Sequence, residues 1–257
     1  QKVVFLGAGS SGLGIADLLV RAMQREGLSE DAARARITMM DKDGLLVTSR
    51  TDLSEQQRRY ARDDTPTTDL LDVITRVRPT ILIGVSTMGD AFTQAVVERM
   101  SAINSRPIIF ALSIPNAECT AEQAYTWSKG QALYAAGIQY PVVQVGDRSF
   151  HPGQANNFYI FPGLGLATYA TCPRHITDDI IIEAAHALAD QVDTASRARG
   201  RLFPPQDQIV EVEITSACRL AEYIFDHDMA HVERPDDIRK WVEGMIYTPT
   251  YKPIALE

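Results

Sequence analysis

The 257-residue chain carries 33 acidic against 25 basic residues, a formal net charge of −8, and 45% hydrophobic residues. This is the composition of an ordinary globular protein, and its negative charge argues against non-specific binding to nucleic acid or to an anionic membrane surface. No apolar run approaches the roughly 20 residues that span a bilayer. Residues 1–6 read as the approach to a core strand rather than as a signal peptide. Cys119, Cys172 and Cys218 lie far apart without CxxC spacing; each is expected to be a small core residue, in a reducing and hence cytoplasmic compartment. His151, His175, His186 and the other histidines form no HxxxH or HExxH pair, so no metal ligands are assigned.

Apolar runs of strand length alternate with amphipathic stretches through the first half. Strands are expected at 3–6, 37–40, 80–85, 108–112 and 133–136, and helices at 14–24, 69–77, 93–100 and 121–128, with a polar helical insert at 26–36. Continuous apolar strands separated by helices predict an α/β fold: a Rossmann-type doubly wound, mostly parallel sheet with helices on both faces. Thr120 is placed to cap the helix at 121–128, with Gln123 reaching back to complete a capping box. Residues 141–150 read as a hairpin turning at Gly146-Asp147. After 153 the pattern is helical: 157–171 broken at Pro162-Gly163, then 178–191, 209–225 and 235–245, with 197–205 as a loop or hinge. Residues 247–251, with Pro249, read as an extended tail. One domain is expected over 1–257, with the Rossmann core at 1–140 and the hairpin and C-terminal helices at 141–257.

The first strand runs into Gly7-Ala8-Gly9-Ser10-Ser11-Gly12, a G-x-G-x-x-G loop. Gly7 makes the tight turn, Gly9 lets backbone approach a pyrophosphate, and Gly12 brings helix close to strand. The helix N-terminus offers N–H groups and a positive dipole end, and Ser10 and Ser11 add hydroxyl donors. Asp41, at the end of the second strand, is placed to accept from the adenine ribose hydroxyls and to repel a 2′-phosphate, favouring NAD. Starting a turn with Lys42-Asp43-Gly44 is its alternative role. Lys42, Arg58 and Arg59 keep NADP open, because a basic residue near the ribose holds a 2′-phosphate. Val85 and Ser86, at a strand's C-terminal end, line the expected cofactor crevice.

Six segments in order resemble the C-terminal, NAD-binding domain of malic enzymes: Val4-Phe5-Leu6-Gly7-Ala8-Gly9 through Ala16, Met40-Asp41-Lys42-Asp43-Gly44-Leu45, Pro79-Thr80-Ile81-Leu82-Ile83-Gly84-Val85-Ser86, Arg106-Pro107-Ile108-Ile109-Phe110-Ala111-Leu112-Ser113, Ala117-Glu118-Cys119-Thr120-Ala121-Glu122, and Pro152-Gly153-Gln154-Ala155-Asn156-Asn157-Phe158-Tyr159-Ile160-Phe161-Pro162-Gly163. The resemblance implies oxidative decarboxylation of L-malate to pyruvate and CO2. NAD, or NADP, carries the hydride, and Mg2+ or Mn2+ in the full-length enzyme stabilises enolate charge. It implies that Asn156 and Asn157 are the family's paired asparagines, contacting substrate, with Asn157 also contacting the cofactor; capping a helix N-terminus is the alternative role. It also implies a homo-oligomer. Malolactic enzyme, which releases lactate, shares these motifs, and a stand-alone dinucleotide-sensing module is the reading from another class.

Two departures stand out. The family's Ser-Asn-Pro-Thr reads here Ser113-Ile114-Pro115-Asn116, in a shortened segment, and isoleucine cannot make an asparagine's hydrogen bonds; Asn116 is the candidate replacement. The family's catalytic tyrosine, lysine base and acidic metal ligands lie upstream of the glycine loop, so these 257 residues are expected to be a piece of a longer polypeptide that binds cofactor without turning over. No catalytic residue is assigned within them.

Overall fold

Every residue of β1 (Val3–Leu6) is buried, as a strand covered on both faces requires. In this computed structural model, which describes residues 1–247, α1 (Ser10–Arg25) and α2 (Glu30–Arg34) follow, then β2 (Ile37–Asp41) and the two-residue β3 (Gly44–Leu45). α3 (Glu55–Arg58) and α4 (Leu70–Val77) lead to β4 (Ile81–Gly84), and α5 (Gln94–Ile103) to β5 (Ile108–Ala111). α6 (Ala121–Trp127) precedes β6 (Leu133–Ala136), the hairpin β7 (Val143–Val145) and β8 (Arg148–Phe150), and β9 (Gly153–Gln154). α7 (Phe161–Thr171), α8 (Asp178–Ala189), α9 (Thr194–Ala198), α10 (Ile209–Asp226) and α11 (Ile238–Glu243) complete the order. The described residues form two compact units, one of Gln1–Asn156 with Val192–Phe203, the other of Asn157–Gln191 with residues 204–247.

The first unit holds the expected doubly wound sheet, in the order β3-β2-β1-β4-β5-β6-β9, parallel except for β3. Alternate side chains divide between two cores. Val4, Leu6, Leu82 and Ile109 join Val73 and Ile74 of α4, Val97 and Met100 of α5, and Ala124 and Tyr125 of α6. Val3, Phe5, Ile37 and Met39 meet Leu13, Ala16 and Val20 of α1. Each buried Val, Leu, Ile or Phe contributes about 1.5–3 kcal/mol, so an apolar-to-polar change at Phe5 or Leu82 would disrupt a face of the sheet. The capping box at Thr120 and Gln123 forms as the sequence indicates, and the hairpin turns at Gly146, φ +60°.

Several expectations need correction. β3 and β9 were not foreseen; two-residue strands show no period, and β9 sits where the pattern reads as the start of a helical region. α1 begins at Ser10 rather than 14, which puts both serines of the glycine loop in its first turn. Pro162 does not break a helix over 157–171. Residues Asn157–Tyr159 form a separate 3-10 turn, and α7 starts at Phe161 with Pro162 in its first turn, where a missing N–H sacrifices no bond. The segment 197–205 starts inside α9, which Asp193 caps through Ser196 N. Cys119 is buried, but Cys172 is exposed in a left-handed C-cap with φ +47°, and Cys218 is half-buried; the core reading fails for Cys172 because a helix ends there. The tail reading for 247–251 lies, beyond Tyr247, outside the described residues.

The second unit is a helical cluster. Leu164, Ala167 and Ala170 of α7 pack with Ile180 and Ala184 of α8, Leu220, Ala221 and Ile224 of α10, and Val242 of α11. Gly163 N donates to Glu213 Oε2, and a Cβ at Gly163 would lie 2.7 Å from that oxygen, so glycine is what lets α7 approach α10 there. Among the described residues no helix is long and apolar enough to cross a membrane.

Candidate dinucleotide site

β1 and β4 are neighbours in the sheet although β2 and β3 intervene in sequence. The chain therefore leaves β1 to one side and returns on the other, and open α/β sheets bind ligands beyond the strand C-termini at this switch point. Gly7 lies there with φ +118°, a conformation L side chains rarely adopt, and a Cβ on it would collide with the Val85 carbonyl and lie 2.9 Å from Ser86 N. Gly7 N donates to Met40 O, and Val85 N to Leu6 O, both at 2.8 Å, which ties the loop to both neighbouring strands. A Cβ on Gly12 would strike the Gly7 carbonyl. At Gly9, by contrast, a Cβ would find nothing within 4 Å. The protein itself demands glycine at Gly7 and Gly12; at Gly9 the position faces open space.

Gly9 is the N-cap of α1 and brings no side chain to it. Leu13 N makes the first return bond, to Gly9 O at 2.9 Å, so the N–H groups of Ser10, Ser11 and Gly12 precede the helix's own hydrogen bonding. Orphan donors, the positive end of a 16-residue helix and an open cradle together fit a pyrophosphate. Ala8 is buried, and its carbonyl accepts from Gln57 Nε2 at 3.1 Å. Gln57 Oε1 meanwhile takes the Ser54 N–H at 2.9 Å, so one amide closes the capping box of α3 and braces the phosphate loop. The S-x-x-Q spacing signals the capping box; the second contact has no sequence signal.

Asp41 ends β2 and also starts a turn: its Oδ1 accepts from Asp43 N at 2.9 Å, and Asp41 pairs with Gly44 in β3. The turn-starting reading of this residue therefore holds. What sequence reasoning missed is Arg50, whose Nη1 and Nη2 donate to Oδ1 and Oδ2 of Asp41 at 2.8 and 2.9 Å. Its Nη2 also reaches Asp52 Oδ2 at 2.5 Å, and hydrogen bonding to Arg50 holds the Asp52 carboxyl down at about 2. The bonds to Asp52 and Asp41 push the Arg50 guanidinium further above its ordinary range. Lys42 points to solvent, paired with Asp43 at 2.6 Å, and Arg58 Nη2 donates to Thr51 O.

Across the switch point, Ser86 is held by Glu118, a fully buried carboxylate. Glu118 Oε1 accepts from Ser86 Oγ at 3.0 Å, from Ser86 N at 3.3 Å and from Ser113 Oγ; Oε2 accepts from Ser113 N at 3.3 Å. Ser113 Oγ takes the N–H groups of Ser86 and Thr87 at 3.1 and 2.9 Å. The loops after β4 and β5 are thus joined through one carboxylate, for which Gly84 makes room, since a Cβ there would fall on the Glu118 side chain. Burial, then the charges of Glu118 and Asp90, push the neighbouring Cys119 thiol well above its usual range, as befits a thiol buried in the core.

The structure thus gathers Gly7, Ala8, Gly9, Ser10, Ser11, Gly12, Val85 and Ser86 at one switch point, with Asp41 at the end of the adjoining strand. Ile114 is 62% exposed and Asn116 is exposed beside Gly89. Asn156 ends the first unit, and Asn157 opens the 3-10 turn of the second. Among the described residues no group of three or more His, Cys, Asp or Glu side chains could hold a metal ion, so these residues do not fit one.

Residues 1–225 match the sequence profile described as malic enzyme, NAD binding domain. The NADP-dependent malic enzyme of Dictyostelium discoideum is 41% identical over 256 residues, covering 98% of this chain and 47% of that protein. The mitochondrial NAD-dependent malic enzyme of Ascaris suum is 40% identical, over 99% of this chain and 40% of its own length. The chain thus spans about half the length of these relatives or less. In structure it is similar to the malic enzyme of Entamoeba histolytica, with a TM-score of 0.71 at 24% identity over 95% of this chain and 46% of that one. The Pyrococcus horikoshii malic enzyme gives 0.68 at 20% identity, over 95% and 51%. At that identity the likeness speaks for the fold. The profile match covers most of the chain, and the chain belongs to the malic enzyme family, through its NAD-binding domain.

Proposed function

We propose that these residues are the NAD(P)-binding portion of a malic enzyme that oxidatively decarboxylates L-malate to pyruvate and CO2. The observation that carries the reading is the open cradle at Gly9, set between two glycines that the fold itself needs. The N–H groups of Ser10, Ser11 and Gly12 would receive the pyrophosphate, and Asp41 with Arg50 would meet the adenine ribose. Lys42, at the rim, would reach a 2′-phosphate more readily than a ribose hydroxyl. Ser86, fixed by Glu118, would line the nicotinamide side; family resemblance gives Asn156 and Asn157 a substrate contact and Asn157 a cofactor contact as well. When bound, the nicotinamide takes up the hydride released in malate oxidation.

Residues 1–257 would act as one functional module. Tyrosine, lysine and acidic residues of the rest of the enzyme would supply acid, base and Mg2+ or Mn2+, since the described residues do not fit a cation. Homo-oligomeric assembly follows the family resemblance, and three unpaired cysteines support cytoplasmic placement. The test is an assay of the purified chain with NAD, NADP, malate and Mn2+. Saturable dinucleotide binding without pyruvate is expected; robust decarboxylation, or no binding at all, contradicts the reading. Product analysis of the full-length enzyme separates it from malolactic chemistry: pyruvate with reduced cofactor is expected, and lactate would support the other.

A further inference from the structure

Three arginines from distant parts of the chain line one polar cavity of about 560 Å3 in the first unit. Arg106 precedes β5, Arg148 opens β8, and Arg199 follows α9; Ser105, Gln131 and Ser149 complete the polar lining. Arg201 adjoins them, its Nη2 3.4 Å from His151 Nδ1. The chain as a whole is acidic, at −8, yet none of these four arginines forms an ion pair with a carboxylate among the described residues. Asp193, whose charge Arg199 feels, is itself engaged by Ser196 N at 2.8 Å and Ser196 Oγ at 2.7 Å.

Two of the arginines are held in place. Arg148 lies over the Phe150 ring, 4.8 Å from its centroid, and its Nη2 donates to Gly130 O at 3.3 Å. Gly130, with φ +73°, leaves room for this; a Cβ there would press into the Phe150 ring and lie 3.1 Å from Arg148 Nη1. Arg106 Nη2 donates to Arg197 O at 3.4 Å. Each guanidinium carries five N–H donors in a fixed fork, so most of this donor capacity is unspent. Arg106, Arg148 and Arg199 are exposed at the cavity, where an anion can reach these donors.

We propose that this cavity is a second ligand site, for a compact polyanion whose clustered oxyanions, phosphates or carboxylates, are received by Arg106, Arg148 and Arg199. It is separate from the dinucleotide site. Arg106 and Gln131 lie before the N-terminal ends of β5 and β6, whereas the glycine loop follows the C-terminal end of β1, parallel to them. The volume lies within the range of small-molecule sites, and the predominantly polar lining suits a charged occupant. The surrounding field is already felt at His151, which burial, then Arg201 and Arg199, hold below the usual imidazole range.

The test titrates the purified chain, saturated with NAD, with inorganic tripolyphosphate and separately with citrate, by calorimetry. One saturable site is expected for at least one probe, and which probe binds tells phosphate from carboxylate recognition. The variant R106Q/R199Q is expected to weaken that binding roughly tenfold or more, as loss of charged hydrogen bonds does, with NAD affinity and melting temperature unchanged. A bound polyanion is also expected to raise the His151 titration midpoint, read from its ring protons by NMR. Absence of saturable binding by both probes, or binding indifferent to R106Q/R199Q, overturns the proposal.

Discussion

Arg50 grips both carboxylate oxygens of Asp41, at 2.8 and 2.9 Å, and the two side chains are only 13% and 16% exposed. Asp41 Oδ2 keeps one lone pair for a ribose hydroxyl, since an ionised oxygen accepts twice. Asp41 and Arg50 act on a 2′-phosphate with opposite signs. Asp41→Asn is expected to weaken NAD binding and raise the NADP-to-NAD affinity ratio, because the guanidinium is then released toward the phosphate. Arg50→Gln is expected to lower that ratio. Separate titrations with NAD and NADP measure both, and an unchanged ratio in the two variants would place the ribose elsewhere. Each change also breaks a charged, part-buried pair and is expected to cost about 2 kcal/mol of stability.

Glu118 and Gly84 make a second coupled pair. Truncating the buried acid orphans the donors of Ser86 and Ser113, so Glu118→Ala is expected to cost about 3 kcal/mol or more. Gly84→Ala is destabilising for another reason: its Cβ would fall on the Glu118 side chain. With that side chain gone the methyl group has space, so the double variant is expected to be more stable than the sum of the two losses, by about 1–3 kcal/mol. Denaturant unfolding of the four proteins decides it; strict additivity would mean the two positions do not meet.

The second unit carries a pH signature. Glu213 is 7% exposed, and burial raises its carboxyl pKa, partly opposed by the Gly163 N–H. Its Oε1 is buried without a partner among the described residues. A carboxyl group raised in the folded state binds its proton more tightly there than in the unfolded chain, so its contribution is greatest at low pH and is lost as pH rises through the folded value. Wild type is therefore expected to lose stability relative to Glu213→Gln over the pH range above the ordinary carboxyl value of 4.5. A stability difference between the two proteins that stays flat across that window would contradict the burial argument.

The glycine loop, the buried strands, the capping box at Thr120 and the hairpin at Gly146 were legible in the sequence, because each is a local pattern with a local cause. Arg50, Glu118 and Gln57 were not. Their partners lie 9, 32 and 49 residues away at Asp41, Ser86 and Ala8, brought near by strand order and loop path rather than by spacing. Pro162 misled for the opposite reason: a proline that breaks a helix interior also favours a helix's first turn, and only the location of the start distinguishes the two.

The most direct test of the dinucleotide site is the NAD affinity of Gly9→Val beside its melting curve. Gly9 has φ −82° and ψ −171°, which any L residue adopts, and open space where a side chain would stand. Gly9→Val is expected to keep a fold stable to within about 1 kcal/mol of wild type and to bind NAD roughly tenfold more weakly or worse. A folded Gly9→Val that binds NAD as tightly as wild type would show that the pyrophosphate does not rest on this loop.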